Sequence, residues 1–324
     1  MAAMNLLRCC LATLLLAACS PAHAADPECV IPSKPGGAMD LTCKLALHAL
    51  QGQPGAPRLK LSYLPGGIGA VAWHTLVSQR RAEPDTLVAF SGGSLLNLAQ
   101  GKFGKASADD VRWVAAMGAD YGMIAVRGDS PYRTLGQLLD AMKRTPAKVL
   151  IGVSGTIGSQ DWLKMALVAQ KAGIDPRQLR FVALEGGGEA FTAMQANYVH
   201  AVSGDASEAT LYAGPGQGRV RVLAVLSEHR LPGVLASVPT AREQGIDVVW
   251  PLIRGVWLGP GVKDADYRRW VDVFERMQAT PEFAKLRADA GLQPFALTGD
   301  ALTHYIKKAV LDYNRQARQF NLVR

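Results

Sequence analysis

Cysteine is scarce in this sequence and lies mostly at one end: three of the five, Cys9, Cys10 and Cys19, stand within the first nineteen residues. The remaining two, Cys29 and Cys43, cannot fill a tetrahedral metal shell, and no histidine stands at ligand spacing from them, so no metal site is expected. Long apolar runs are missing as well. The stretch Leu11 to Ala18 is shorter than the roughly 20 residues a bilayer-spanning helix needs, and no later segment approaches that length, so the mature chain is expected to be water-soluble. Basic runs are absent too: the formal charge of +8 is spread thinly, without aromatic interleaving or a zinc-finger or helix-turn-helix signature. Nucleic acid is therefore a poor partner, and a diffuse positive field suits a small anion better.

The first 24 residues do carry a pattern. One basic residue, Arg8, precedes the apolar run, and Ala22-His23-Ala24 follows it, as in a secretory leader cleaved before Ala25. Leu16-Ala17-Ala18-Cys19 offers a competing lipobox that would leave Cys19 acylated; the soluble product is the preferred expectation. Export fits the cysteine count. An even pair outside the cell reads as a Cys29–Cys43 disulfide, the alternative being two buried thiols. A loop of about 15 residues closed in this way adds about 3 kcal/mol in the chain-entropy account, less any strain.

Past the leader, short apolar strands alternate with amphipathic helical patterns. Strands are expected at Val30–Pro32, Leu59–Leu64, Thr86–Phe90, Met123–Val126, Val149–Val153 and Val220–Leu226. Helices are expected at Leu41–Gln51, Ile68–Ser78, Leu135–Lys143, Trp162–Lys171 and Glu189–Asn197, with three more at Ala265–Gln278, Pro281–Ala290 and Asp300–Phe320. This is α/β organisation with mainly parallel sheets. The length favours two domains. The helical last third suggests a discontinuous first domain, residues 25–125 plus 251–324, around a second of residues 126–250. Two chain crossings between them make a hinge.

Four strand-to-helix junctions are rich in small residues: Pro35 to Asp40, Ser91-Gly92-Gly93-Ser94, Gly155 to Ser159, and Gly186-Gly187-Gly188. Each exposes backbone N–H groups at the positive end of a helix dipole, which binds an anion without any cationic side chain. In open α/β sheets such loops gather at the carboxyl ends of the strands.

Several blocks are similar to a known family. They are Cys29-Val30-Ile31-Pro32-Ser33-Lys34-Pro35-Gly36-Gly37-Ala38-Met39-Asp40-Leu41-Thr42-Cys43, Tyr63-Leu64-Pro65-Gly66-Gly67-Ile68-Gly69, Ser130-Pro131-Tyr132 with Thr134-Leu135, and Val238-Pro239-Thr240 with Glu243-Gln244-Gly245. Together they resemble the Bug-type, or TctC-type, solute-binding receptors of tripartite tricarboxylate transporters, and the first block looks like the citrate-binding branch. The resemblance implies a type II-like periplasmic-binding-protein fold whose two domains close on a ligand. It also implies a periplasmic, non-catalytic and cofactor-free receptor that captures a small di- or tricarboxylate, citrate-like by preference. The ligand would pass to a large and a small membrane subunit, and a monomer is expected. By matching position, the expected ligand contacts are Pro35, Gly36, Gly37, Ala38, Met39 and Asp40 in one domain and Thr156, Ile157, Gly158, Ser159, Gly204 and Asp205 in the other. Ser91 and Ser94 are added in the first domain. Ala38-Met39 departs from the family's more usual Gly followed by Phe or Thr, which bears on ligand preference. Asp40 beside an anion would be repulsive, so its expected role is a helix cap or a water anchor.

Other functions compete. Gly67-Ile68-Gly69-Ala70-Val71-Ala72 matches the dinucleotide pattern G-x-G-x-x-A, but the acidic partner, Asp85, precedes the next strand instead of ending it. A secreted hydrolase would need a nucleophile elbow, and Gly152-Val153-Ser154-Gly155-Thr156 lacks the final glycine. The tripeptide in Arg127-Gly128-Asp129 is read as chance, and the six tryptophans as core, with Trp257 near the return crossing as a reporter of closure. A sensor that presents ligand to a membrane signalling protein remains an alternative within the resemblance.

Overall fold

The computed structural model describes residues 26–51, 53, 58–213 and 219–323. The segment expected to be a leader, with Cys9, Cys10, Cys19 and both expected processing sites, lies outside the described residues. The chain opens with β1 (Glu28–Ile31), α1 (Ala38–Gln51), β2 (Lys60–Tyr63), α2 (Ala70–His74), β3 (Thr86–Ser91), α3 (Gly92–Ala99) and β4 (Arg112–Arg127). A middle portion follows with α4 (Leu135–Arg144), β5 (Leu150–Ser154), α5 (Gln160–Lys171), β6 (Arg180–Leu184), α6 (Gly187–Gln195), β7 (Ala201–Asp205), α7 (Ala206–Thr210) and β8 (Val220–Leu226). The last part holds β9 (Pro251–Leu258), α8 (Asp264–Gln278), α9 (Pro281–Asp289), β10 (Leu297–Thr298) and α10 (Gly299–Gln319).

The described strands share one hydrogen-bonded path, β2-β1-β3-β9-β4-β7-β5-β6, with β8 and β10 also paired to β4. β4 is the pivot. Arg112 to Tyr121 pair with β9, whereas Gly122 to Arg127 pair with β7 and β8, so the chain changes partners between Tyr121 and Gly122. The return lies alongside: Trp250 N–H donates to the Leu226 carbonyl at 2.8 Å, Gly122 N–H donates to Trp250 at 3.0 Å, and β9 begins one residue later. The strands on either side make two α/β lobes. Pairing is parallel between β1 and its neighbours β2 and β3, and between β5 and its neighbours β6 and β7. Every pair that includes β4 or β9 is antiparallel. The sheet is therefore mixed, because strands that run out of one lobe and back into it must oppose each other.

Burial explains the strands. All six residues of β3 are buried, as a strand covered on both faces requires. Cys29 in β1 and Cys43 in α1 are joined as a disulfide, with Cα atoms 5.7 Å apart and both residues fully buried. A cluster of rings, Trp73, Phe90, Phe103, Trp113 and Trp257, fills one side of the first lobe. α10 ties the lobes together. Leu302 and Ile306 pack into that first-lobe cluster, whereas Ala317 and Phe320 pack with Trp162 and Leu163 of the second lobe. Among the described residues, no helix is long and apolar enough to cross a membrane.

Candidate functional site

β1, β3, β5 and β6 each end at a short loop that starts a helix, and the four helix starts converge between the lobes. Gly37, Ala38 and Met39 bring α1, Ser91 and Gly93 bring α3, Ser159, Gln160 and Asp161 bring α5, and Gly186 and Gly187 bring α6. They enclose a cavity of about 50 Å³, completed by Pro32, Ser33, Ile68, Asn97, Ser154, Glu185, Asp205 and Glu208. It adjoins a vestibule of about 360 Å³ that shares Ile68, Asn97, Ser159 and Glu185 and adds Lys102 and Thr156. The inner space holds a few waters' worth of volume, so the lobes stand closed. Lys34 and Glu189 pair across the gap, and Gln100 Nε2 donates to the Gly158 carbonyl at 2.7 Å.

Serines serve first as caps. Ser91 Oγ accepts from Gly93 N–H at 3.2 Å while Ser94 Oγ accepts from Ser91 N–H at 3.4 Å, a reciprocal capping box, and Ser159 Oγ accepts from Trp162 N–H at 3.3 Å. Asp40 is buried away from the cavity. It accepts from Gly36 N–H at 2.7 Å, Lys44 Nζ at 2.8 Å and Tyr63 Oη at 2.9 Å, which pins the glycine turn that precedes α1. Gly36 takes φ +85°, so a side chain there would strain that turn. Ile68, a β-branched residue at φ +52°, is strained by about 1–3 kcal/mol. Asn97 Nδ2 holds its carbonyl at 3.1 Å, and its side chain faces Gly155 of the other lobe.

Below the cavity lies a buried charge network that the sequence reading missed. Arg254 of β9 donates through Nε to Asp120 Oδ2 at 2.9 Å and through Nη2 to Asp205 Oδ2 at 2.9 Å. Lys164 of α5 donates to Asp161 at 2.8 Å and to the Gly204 carbonyl at 3.0 Å, and it also pairs with Asp205. Burial alone would raise Asp205, yet Lys164 and Arg254 outweigh it and hold that carboxyl below its usual range. Burial pushes Asp161 up to about 6 against the pull of Lys164. Glu208, from the first turn of α7, is different. Its Oε1 accepts from Ala38 N–H of the other lobe at 2.6 Å, and burial, reinforced by Asp205, pushes it up to about 8.

Of the residues expected at the ligand, Gly37, Ala38, Met39, Ser91, Ser159 and Asp205 come together around the inner cavity. Thr156 lines only the vestibule. Pro35, Gly36, Asp40, Ser94, Ile157, Gly158 and Gly204 line neither: Ile157 stands 66 % exposed, and the others shape the loops behind the wall. Asn97, Gln160, Asp161, Glu185 and Glu208 were not anticipated, whereas Gly187 belongs to the Gly186-Gly187-Gly188 junction singled out in the sequence. One signal was there to be seen, since Asp205 and Glu208 have the spacing of a capping box, which the structure forms. Asp85 lies before β3, at the end away from the cavity, and is paired with Arg269, so it cannot serve Gly67-Ile68-Gly69 as a ribose ligand. Among the described residues, Ser154 lines the cavity with no histidine beside it in the lining.

A two-lobed α/β scaffold with a cleft walled by helix N-termini from both lobes defines the class of periplasmic binding proteins. Within that class, residues 74–322 match the sequence model of the tripartite tricarboxylate transporter family receptor, and the chain belongs to that family, TctC. Members are periplasmic solute-binding receptors. Solved structures agree on the fold. BugD superposes with a TM-score of 0.80 at 17% identity, covering 92% of this chain and 98% of its own. MatC from Rhodopseudomonas palustris, with bound malate, gives 0.76 at 18% identity over 90% and 98%. A TctC solute-binding protein from Polaromonas gives 0.60 at 21% identity over 90% and 98%. No curated protein matches the sequence.

Proposed function

We propose that this protein is a non-catalytic extracytoplasmic receptor that captures a small di- or tricarboxylate between its lobes. The observation that carries this is the convergence of four helix N-termini, from α1, α3, α5 and α6, on one closed cavity. Backbone N–H groups at those ends favour a carboxylate. MatC holds malate, and another R. palustris relative in fold, at 18% identity and a TM-score of 0.78, holds adipate, which supports the carboxylate class. The resemblance of the first sequence block adds citrate as the tricarboxylate of reference. Delivery to a large and a small membrane subunit, export by a cleaved leader and a monomeric state complete the proposal. The lobes expected at residues 25–125 with 251–324 and at 126–250 are kept with one adjustment: the first crossing is placed where β4 changes partners, between Tyr121 and Gly122. Ligand contacts fall on Gly37, Ala38, Met39, Ser91, Ser159 and Asp205, joined by Asn97, Gln160 and Gly187.

The test is a thermal-shift screen on protein stripped of carried-over solute by unfolding with its disulfide intact and refolding. Succinate, malate, adipate, citrate and tricarballylate form the panel. A ligand present at about 100 times its Kd stabilises the folded state by about 2.7 kcal/mol, so a rise of several degrees in Tm is expected with at least one acid. No shift with any of them sinks the carboxylate proposal.

A further inference from the structure

The inner cavity is built for anions by its backbone and yet lined by four acidic side chains, Asp161, Glu185, Asp205 and Glu208, with no Lys, Arg or His in the lining. Lys164 and Arg254 stand behind Asp161 and Asp205 and answer their charge. Glu185 and Glu208 remain, and Glu208 is seated like a ligand. Its side chain leaves one lobe, its Oε1 accepts the Ala38 N–H at the start of α1 in the other, and Oε2 turns back to Asp205 N–H at 3.4 Å. Glycines cradle the carboxyl. A Cβ at Gly187 would overlap both of its oxygens, and Cβ atoms at Gly37 and Gly204 would each come within 3.5 Å of one. No side chain caps α6 at Gly186, so the second helix start beside this carboxyl is also open.

Resting on the carboxylate proposal above, we propose that Glu208 is the specificity-determining residue of the cleft. Its carboxyl fills one carboxylate position between the helix starts of the two lobes, so the protein takes acids with two carboxylates in preference to three. An internal group that already uses the Ala38 N–H removes that donor from the ligand. A third ligand carboxylate would have to share the same small space with Glu185 and Glu208, with no lining cation to compensate. Glu208 itself, pushed up to about 8 by burial, sits at neutral pH mostly as the uncharged acid, which lets it neighbour one ionised ligand carboxylate.

Calorimetric titration of the stripped protein at pH 7 with succinate and tricarballylate tests this. Wild type should bind succinate more tightly. Glu208→Ala empties the position and should move the ratio of the two Kd values toward tricarballylate by about tenfold or more. Glu208→Asp keeps a carboxyl but withdraws it from Ala38, and should move the ratio the same way by a smaller factor. Both variants are checked for a cooperative melt, and Glu208→Asp stands alone if Glu208→Ala fails to fold. Tighter binding of tricarballylate by wild type, an unchanged ratio in a folded variant, or loss of both acids would each overturn the assignment. Wild type that binds neither acid nor any other of the panel refutes the carboxylate proposal instead.

Discussion

Glu208 holds a proton in the folded protein that the unfolded chain, near its ordinary value of 4.5, gives up. The folded state therefore binds the extra proton between about 4.5 and about 8, and stability present at the acid side of that window declines as pH rises through it. Asp161, raised to about 6, gives a dependence of the same sign that ends lower, and Asp205, held low by Lys164 and Arg254, is ionised in both states across this range. Of these three carboxyls, only Glu208 changes its proton binding in the stretch from about 6 to about 8. Glu208→Gln, which keeps the shape and one acceptor, is expected to flatten Tm against pH there and to leave the acid limb as it was. An unchanged slope from 6 to 8 would place the proton elsewhere. None of this was legible one residue at a time: a glutamate in a short helix reads as solvated, and its burial comes from Ala38, Gly37 and Gly187, all distant in sequence.

At the scale of elements, the crossing strands carry the main structural risk. Arg254 on β9 is fully buried and bridges Asp120 on β4 to Asp205 at the end of β7. Arg254→Met leaves both carboxylates without that partner in a buried place, and is expected to lower stability by about 3–5 kcal/mol in urea unfolding at pH 7. Lys285→Met, which breaks an exposed pair with Asp289 in α9, should change it by about 0.5 kcal/mol or less. A mild effect at Arg254 would mean that water reaches the network. The helices were readable because their apolar spacing survives in the sequence, as in the buried Leu135, Leu138, Leu139 and Met142 of α4. β7, Ala-Val-Ser-Gly-Asp, and the first half of β4, rich in Ala, Met and Gly, were not. Their residues have weak strand preference, and pairing on both sides decides their conformation.

Over the whole molecule, the lobes meet through two crossings and α10. Trp250 occupies the return crossing, its indole ring 6.0 Å from Tyr313 of α10 and its buried N–H without a partner among the described residues. Trp257, by contrast, lies deep in the aromatic cluster of the first lobe, 5.2 Å from Trp73. Capture that moves one lobe against the other should therefore perturb Trp250. The expected result is a ligand-dependent change in intrinsic fluorescence that Trp250→Phe largely removes and Trp257→Phe keeps. Loss of the signal in Trp257→Phe alone would assign the change to the first lobe and not to the crossing.

What the sequence determined by itself is what depends on near neighbours along the chain: alternation of strand and helix, glycine turns before helices, and blocks similar enough to a receptor family to suggest a two-lobed fold. The cysteine count made a Cys29–Cys43 disulfide the preferred reading, and the tertiary structure removed the alternative of two buried thiols. The tertiary structure decided the rest. It chose where β4 changes partners, which of the loop residues face the cavity, and that Arg254, Asp120, Asp205 and Lys164 form one buried network. It also seated the Glu208 carboxyl against a backbone N–H of the opposite lobe. The physical reason is range: a cap or a turn is satisfied within a few residues, whereas desolvation and the pairing of buried charges depend on groups that come together only when both lobes are folded and closed.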